Sequence, residues 1–366
     1  MLHEGEFAVE VQVAGGHIAA IEKHKGRAAA VQKWIFGSAQ VLALAALCAI
    51  SAELLAAYSD STGDIGAILF NLIFFMALYG APALLIRELA RRLGWGWPSL
   101  LLLCAALGIL QACIIDQSMF ADQYGGYAGW EESRSATFIP PVGISAYNAY
   151  NFIIGHIIFS FAGPIAIAEA WWPKRAQVSW LGPFGMIVAA VFYIGSAALI
   201  MADEGSQNAT QGQLVTAWVL VGGCGIGAAL VGRRIASEPL PSVREVNPLL
   251  LLLVTFIVAV ASMFAGEGWL GVAVGLGSTV LILAMIIWTR TRFAWTPAHY
   301  AAVALGFLLS RGALAFTYFP LLGEVEPLPK YLHNVAMLAI VLAAGALALK
   351  FGRSAEKASM VGARRQ

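Results

Sequence analysis

Charge is scarce in this sequence: only 12% of its 366 residues are Asp, Glu, Lys or Arg, while 60% are hydrophobic. A water-soluble chain of this size needs far more charge to cover its surface, so soluble enzymes and carriers are excluded and an integral membrane protein is implied. Cysteine is scarce too. Cys48, Cys104, Cys113 and Cys224 form no CxxC or Cys/His spacing, so neither a disulfide framework nor a metal site is expected, and nothing calls for a cofactor. No basic, aromatic-interleaved patch stands outside the apolar runs, which removes nucleic acid as a partner. The first 33 residues carry Glu4, Glu6 and Glu10 and no apolar run, so no cleavable leader is expected and the first apolar run serves as an uncleaved insertion signal.

What is present is a succession of apolar runs. Ten are read, at 34–58, 65–86, 98–118, 143–172, 179–202, 211–232, 248–265, 269–288, 297–319 and 331–350. Each lies near the roughly 20 residues that a helix needs to cross about 30 Å of hydrocarbon. The expected fold is all-α: a polytopic bundle with the lipid bilayer as its first partner. The expected organisation is a cytoplasmic tail (1–33), spans 1–6 (34–234) with an outer loop at 119–142, a Pro-rich cytoplasmic linker (235–247), spans 7–10 (248–350) and a second cytoplasmic tail (351–366). Residues 1–16 alternate Phe7, Val9, Val11 and Val13 as a short strand would, and 17–33 suit a basic surface helix or a flexible tail. With both termini inside, 19 of the 22 basic residues fall in cytoplasmic segments, as retention of Lys and Arg requires. Only Arg134 and Lys330 lie outside, and Arg311 lies within a span.

Polar residues inside the spans are expensive and mark candidate sites. Rise per residue puts His156 about 20 Å from the start of span 4 and about 24 Å from its end, near mid-membrane. Asn148 and Asn151 lie further out on the same span, and at 100° per residue Asn148, His156 and Ser160 share one face. Gln111 and Asp116 fall in the outer part of span 3. Glu53, Asn71, Arg311 and His333-Asn334 occupy the same outer half. The candidate ligand-binding set is therefore His156, Asp116, Gln111, Asn148, Asn151, Arg311 and Glu53, with Asp116 or Glu53 as the expected counter-charge for Arg311. For His156 the alternative is an interhelical hydrogen bond to Asn71 or to a carbonyl.

At the inner end, Glu88 is spaced i, i+3 and i, i+4 from Arg91 and Arg92, an ordinary surface ion-pair pattern. Glu169 is placed to pair with Arg87 and tie spans 2 and 4 together, so Arg87, Glu88 and Glu169 read as structural ion pairs. Trp95, Trp97, Trp171, Trp172 and Trp180 read as interfacial anchors on that side. Spans 7 and 8 carry almost no polar side chains and read as lipid-facing or as a docking face for another chain. Gly223/Gly227 and Gly271/Gly275 read as close helix-packing pairs.

The segment from Tyr79-Gly80 through Arg87-Glu88, Gly94-Trp95-Gly96-Trp97-Pro98, Gln117-Ser118-Met119-Phe120, His156, Ser160, Pro164-Ile165-Ala166 and Glu169-Ala170 to Trp180-Leu181-Gly182 resembles a group of actinobacterial-type multi-pass membrane proteins with no assigned activity. That resemblance covers roughly 79–185 and implies a bacterial cytoplasmic membrane. Where those relatives carry a Glu-Glu pair in span 3, this chain has Gln111-Ala112. A weaker similarity is to the CPBP intramembrane proteases of the CAAX- and bacteriocin-processing type. It rests on Phe152 to His156 and on Glu88 to Arg92, with Arg87 in place of a leading Glu. Depth argues against joining these elements: Glu88 and His156 are separated by roughly 20 Å along the membrane normal, beyond the reach of a general base.

Three function classes fit. The first, favoured, is a binding or transport protein whose outer-half pocket accepts a small or lipid-like molecule. The second is an intramembrane hydrolase or transferase using His156. The third is a subunit or scaffold of a larger membrane complex, with a protein partner on spans 7 and 8.

Overall fold

The computed structural model describes residues 38–234 and 245–363. The expected features of the 1–33 tail and most of the 235–247 linker lie outside the described residues. The chain divides at Leu42 into two units. Of the first, only the opening turn of a helix is described, and the packing and the site lie in the second.

Ten long helices occur among the described residues, one at each expected run: α1 (Ser38–Leu54), α2 (Ile65–Arg92), α3 (Trp97–Ile115), α4 (Ala146–Trp171), α5 (Pro183–Met201), α6 (Gln211–Arg234), α7 (Pro248–Met263), α8 (Trp269–Arg290), α9 (Pro297–Leu314) and α10 (Pro327–Ala363). Seven of them, α2 to α6, α8 and α10, are long and apolar enough to cross a membrane. α1 and α7 are apolar but shorter, and α9, with His299 and Arg311, falls below that apolarity. The last helix continues to Ala363 rather than ending near 350. The only sheet among the described residues is a small antiparallel hairpin, β1 (Phe138–Ile139) with β2 (Ile144–Ser145), in the α3–α4 connection.

Local chemistry fixes the helix starts. Proline stands in the first turn of α3, α5, α7, α9 and α10, where its missing N–H costs nothing and its fixed φ suits the helix. Asp64 caps α2 by accepting from Ala67 N at 2.8 Å, and Asn247 caps α7 by accepting from Leu249 N at 3.0 Å. At α9 the Thr296 hydroxyl and the His299 ring form a reciprocal capping box, and His299 Nε2 also reaches Val246 O at 2.8 Å. His299 is therefore a capping residue.

α9 is the hub of the bundle. Its Ala301, Ala304, Leu305 and Leu308 pack with Leu47, Leu54 and Leu55 of the first segment, Ala166, Ile167 and Ala170 of α4, and Met337, Val341 and Ala344 of α10. A second cluster joins its Ala302 and Val303 to Leu251 of α7 and Ile282 of α8. Small residues permit this close packing. A Cβ on Gly306 would lie 2.8 Å from Leu252 O, and one on Gly80 would lie 2.5 Å from Ala45 Cα, so α7 approaches α9, and α1 approaches α2, at backbone distance. Beyond Leu314, Ala315 O accepts from the buried Lys330 ammonium and from Asn334, both at 2.8 Å, so a cation sits where the helix dipole is negative.

The periphery matches expectation only in part. α8 is largely exposed, but α7 buries Leu251, Thr255 and Ala259 against the bundle. A Cβ on Gly275 would meet the Tyr150 ring at 2.6 Å, whereas Gly223 has open space beside it. Each expected glycine pair therefore has one member against a neighbouring helix: Gly275 tightly against Tyr150 of α4, and Gly227 in ordinary contact with Leu102 of α3, 3.6 Å from an added Cβ.

The inner ion pairs match the expected surface pattern only in part: Arg92 Nε stands 3.8 Å from Glu88 Oε2 at the expected i, i+4 spacing, but the carboxylate is buried. Arg87 and Glu88 are fully buried. Arg91 pairs with Glu169 through two 2.7 Å bonds instead of with Glu88, and Arg87 Nε stands 3.1 Å from Glu169 Oε1, the expected α2–α4 tie. Arg87 also donates to the carbonyls of Arg175, Ala176 and Val178, while Glu88 accepts from the amides of Trp180 and Leu181. Trp180, expected as an interfacial anchor, is buried beneath the Arg87 guanidinium at 3.5 Å. The connection 173–182 folds back onto α2, and this covers side chains that helical spacing alone leaves at a surface.

Candidate functional site

A cavity of about 390 Å³ opens where the C-terminal ends of α1, α3, α7 and α9 meet the first half of α4. Its floor and walls are built by helices with an unusual local geometry. π-Helical turns occur at Ile50–Leu54 in α1, Met76–Gly80 in α2, Gln111–Ile115 in α3, and Tyr150–Ile154 and His156–Ala162 in α4. Four of these five turns supply lining residues, and the fifth delivers Asp116. A π-turn inserts an extra residue, widening the helix and re-aiming side chains, and such turns recur at functional sites.

Glu53 lies on the α1 turn. Its Oε2 accepts from the Tyr58 hydroxyl at 2.5 Å and its Oε1 from the Tyr79 hydroxyl at 2.8 Å. Asp116 Oδ1 accepts from the Ser118 amide at 2.9 Å and from the Ser118 hydroxyl at 2.8 Å. The chain turns at Gln117, whose φ of 51° is left-handed. The Gln117 side chain secures that turn by accepting from the amides of Asn208 and Ala209. On α4, His156 Nδ1 is 3.0 Å from Ser160 Oγ, and its ring lies against Tyr79 with centroids 5.6 Å apart. Arg311 enters from α9. It donates through Nη2 to Ala52 O at 2.8 Å, and its guanidinium stands 4.6 Å above the Phe159 ring.

The α3–α4 connection closes one side of the cavity. Tyr124 and Trp130 stack at 5.0 Å, Trp130 lies 6.0 Å from Phe152, and the Trp130 indole donates to Ala121 O at 3.0 Å. Burial, reinforced by the charges of Asp116 and Glu53, holds the Tyr124 phenol well above its ordinary range, so it remains a neutral donor at physiological pH. A second cavity of about 200 Å³ lies behind the first and shares Glu53 and Tyr58 with it, along with Asn71 and His333 on its own side. His333 is engaged there through Nε2 with Leu54 O at 2.7 Å and through Nδ1 with the Gly63 amide.

Five of the seven expected site residues, Glu53, Asp116, Asn151, His156 and Arg311, line the larger cavity. Gln111 does not; it is buried and accepts from Tyr193 of α5 at 3.4 Å. Asn148 does not either. It lies buried in the first turn of α4, where its amide donates to Ser145 Oγ. The reason is the π-turn at Tyr150–Ile154: 100° per residue misplaces Asn148 relative to His156, whereas Asn151 and His156, five apart, line the cavity together. Arg311 forms no ion pair with Asp116 or Glu53, and a backbone carbonyl takes the expected carboxylate's place. His156 finds Ser160 rather than Asn71.

Sequence reasoning missed the tyrosines. Tyr58, Tyr79, Tyr124, Tyr127, Tyr147, Tyr150 and Tyr318 line the cavity, seven of the ten in the chain. Tyrosine near a span end is equally the mark of a membrane interface, so position alone could not assign inward those that lie there.

No known family, curated protein or solved structure matches this chain.

Proposed function

We propose that this is a ten-span protein of the bacterial cytoplasmic membrane, with both termini inside, that binds a small or lipid-like molecule in an extracytoplasmic-half cavity as receptor or transporter. The observation that carries the reading is that two carboxylates, an imidazole and a guanidinium, from three helices and the turn after α3, line one cavity without pairing to one another. Ionisable groups at membrane depth are costly unless a ligand or pathway uses them, and the volume falls in the range of ligand pockets. The ten-span count is supported by α9. Its Tyr300 stacks on Trp97 near the Arg91–Glu169 pairs, and its Arg311 reaches the cavity, so this less apolar helix runs from one polar layer to the other.

Gly155 provides the test. An added Cβ there meets nothing closer than Phe159 at 4.0 Å, so Gly155→Leu fills the cavity while favouring the helix. Mass spectrometry of purified wild-type protein should detect a co-purifying small or lipid-like molecule that the folded Gly155→Leu protein lacks. Equal retention by both proteins would count against the reading.

One observation favours an intramembrane hydrolase as the second reading: the Ser160 hydroxyl lies 3.0 Å from the His156 imidazole inside the cavity, the approach that an activated serine needs. Nothing brings Glu88 into that arrangement, since its carboxylate is engaged by Arg87 and by the amides of Trp180 and Leu181.

A further inference from the structure

Resting on the ligand-binding reading, we infer that the ligand carries an organic cation, an amine or quaternary ammonium, seated between Glu53 and Asp116 among the rings of Tyr58, Tyr79 and Tyr124. The cavity holds two carboxylates and a single guanidinium. That guanidinium donates through Nη2 to Ala52 O and stands over the face of Phe159, with its Nε unpaired, and it forms no ion pair with either carboxylate. Glu53 and Asp116 receive only neutral donors, two phenols and one serine. Carboxylates removed from water without a cation are destabilised, and an incoming positive charge relieves that cost.

The surroundings choose the kind of cation. Among the described residues no group of three His, Cys, Asp or Glu side chains converges as a metal cage would require. Phenol rings instead offer π-faces, which attract alkylammonium groups that shed water readily. Tyr124, held neutral by burial and by both acidic neighbours, keeps its wall from adding a third negative charge.

Three probes of one shape test the inference on the full chain in lipid nanodiscs by isothermal titration: choline, its neutral isostere 3,3-dimethylbutan-1-ol, and the anion 3,3-dimethylbutanoate. Choline should bind at least about tenfold more tightly than the alcohol, and the butanoate most weakly. Glu53→Gln and Asp116→Asn should each weaken choline by about tenfold and leave the alcohol unchanged. If either variant does not fold, the wild-type ranking of the three probes decides alone. Alcohol binding as tight as choline, or tighter binding of the butanoate, would overturn the cation while leaving a binding cavity intact. Choline binding that survives Gly155→Leu unchanged lies elsewhere and overturns it too. If no probe binds and Gly155→Leu retains the same co-purified molecules as wild type, the inference and the binding reading fall together.

Discussion

Ser160 and His156 show how one hydrogen bond can serve two roles. With no ligand chemistry, the hydroxyl satisfies the ring within a helix; with chemistry, the ring activates the hydroxyl. For a binding cavity the bond is replaceable: losing one neutral hydrogen bond costs about 0.5–1.5 kcal/mol, so Ser160→Ala should change the affinity for the co-purified molecule by no more than about tenfold. His156→Ala should reduce retention further, because it also removes the ring packed on Tyr79 and Phe161. A fluorophosphonate probe separates the roles. No Ser160-dependent covalent labelling is expected, and labelling that Ser160→Ala abolishes would replace the receptor with a hydrolase.

At the scale of elements, the inner polar layer is one unit: Arg87 joins the end of α2 to α4 through Glu169 and to the 173–182 connection through three carbonyls. Removing Arg87 leaves Glu169 with Arg91 but takes the closest cation from the fully buried Glu88 and unpairs three carbonyls, a loss comparable to the roughly 3–5 kcal/mol typical of a broken buried pair. Arg87→Ala should therefore lower thermal stability in detergent sharply. Arg87→Lys should recover only part of the loss, since an ammonium cannot reproduce the guanidinium's fan of donors. A variant as stable as wild type would show that the network is peripheral to folding. The sequence made the Arg87–Glu169 tie legible, along with all ten helices and the grouping of Glu53, Asp116, His156 and Arg311 that line one cavity. It hid what depends on backbone detail: the burial of Glu88 and Trp180 under a returning connection, and the π-turn at Tyr150–Ile154 that separates Asn148 from the cavity. Helical spacing assumes 3.6 residues per turn, and the cavity is built where that assumption fails.

For the whole molecule, the two polar layers make the topology testable. Tyr124 and Leu322 both line the cavity, so the α3–α4 and α9–α10 connections share one end of the bundle. Basic residues at the ends of α2, α4, α6 and α8 crowd the opposite segments, which the proposed orientation places in the cytoplasm. Single cysteines at Glu131 and Glu324, in place of exposed carboxylates, should react with a membrane-impermeant maleimide in intact cells. Cysteines at Lys174 and Arg292 should react only after permeabilisation. α9 is the decisive helix, because it carries His299 and Arg311 and is not among the seven that are long and apolar enough to cross a membrane. If it stops short of crossing, Arg292→Cys and Glu324→Cys will label from the same side, and the ten-span count fails at that helix. If instead all four sites label with reversed sidedness, the helices stand but the cavity opens to the cytoplasm, and its ligand must be sought there.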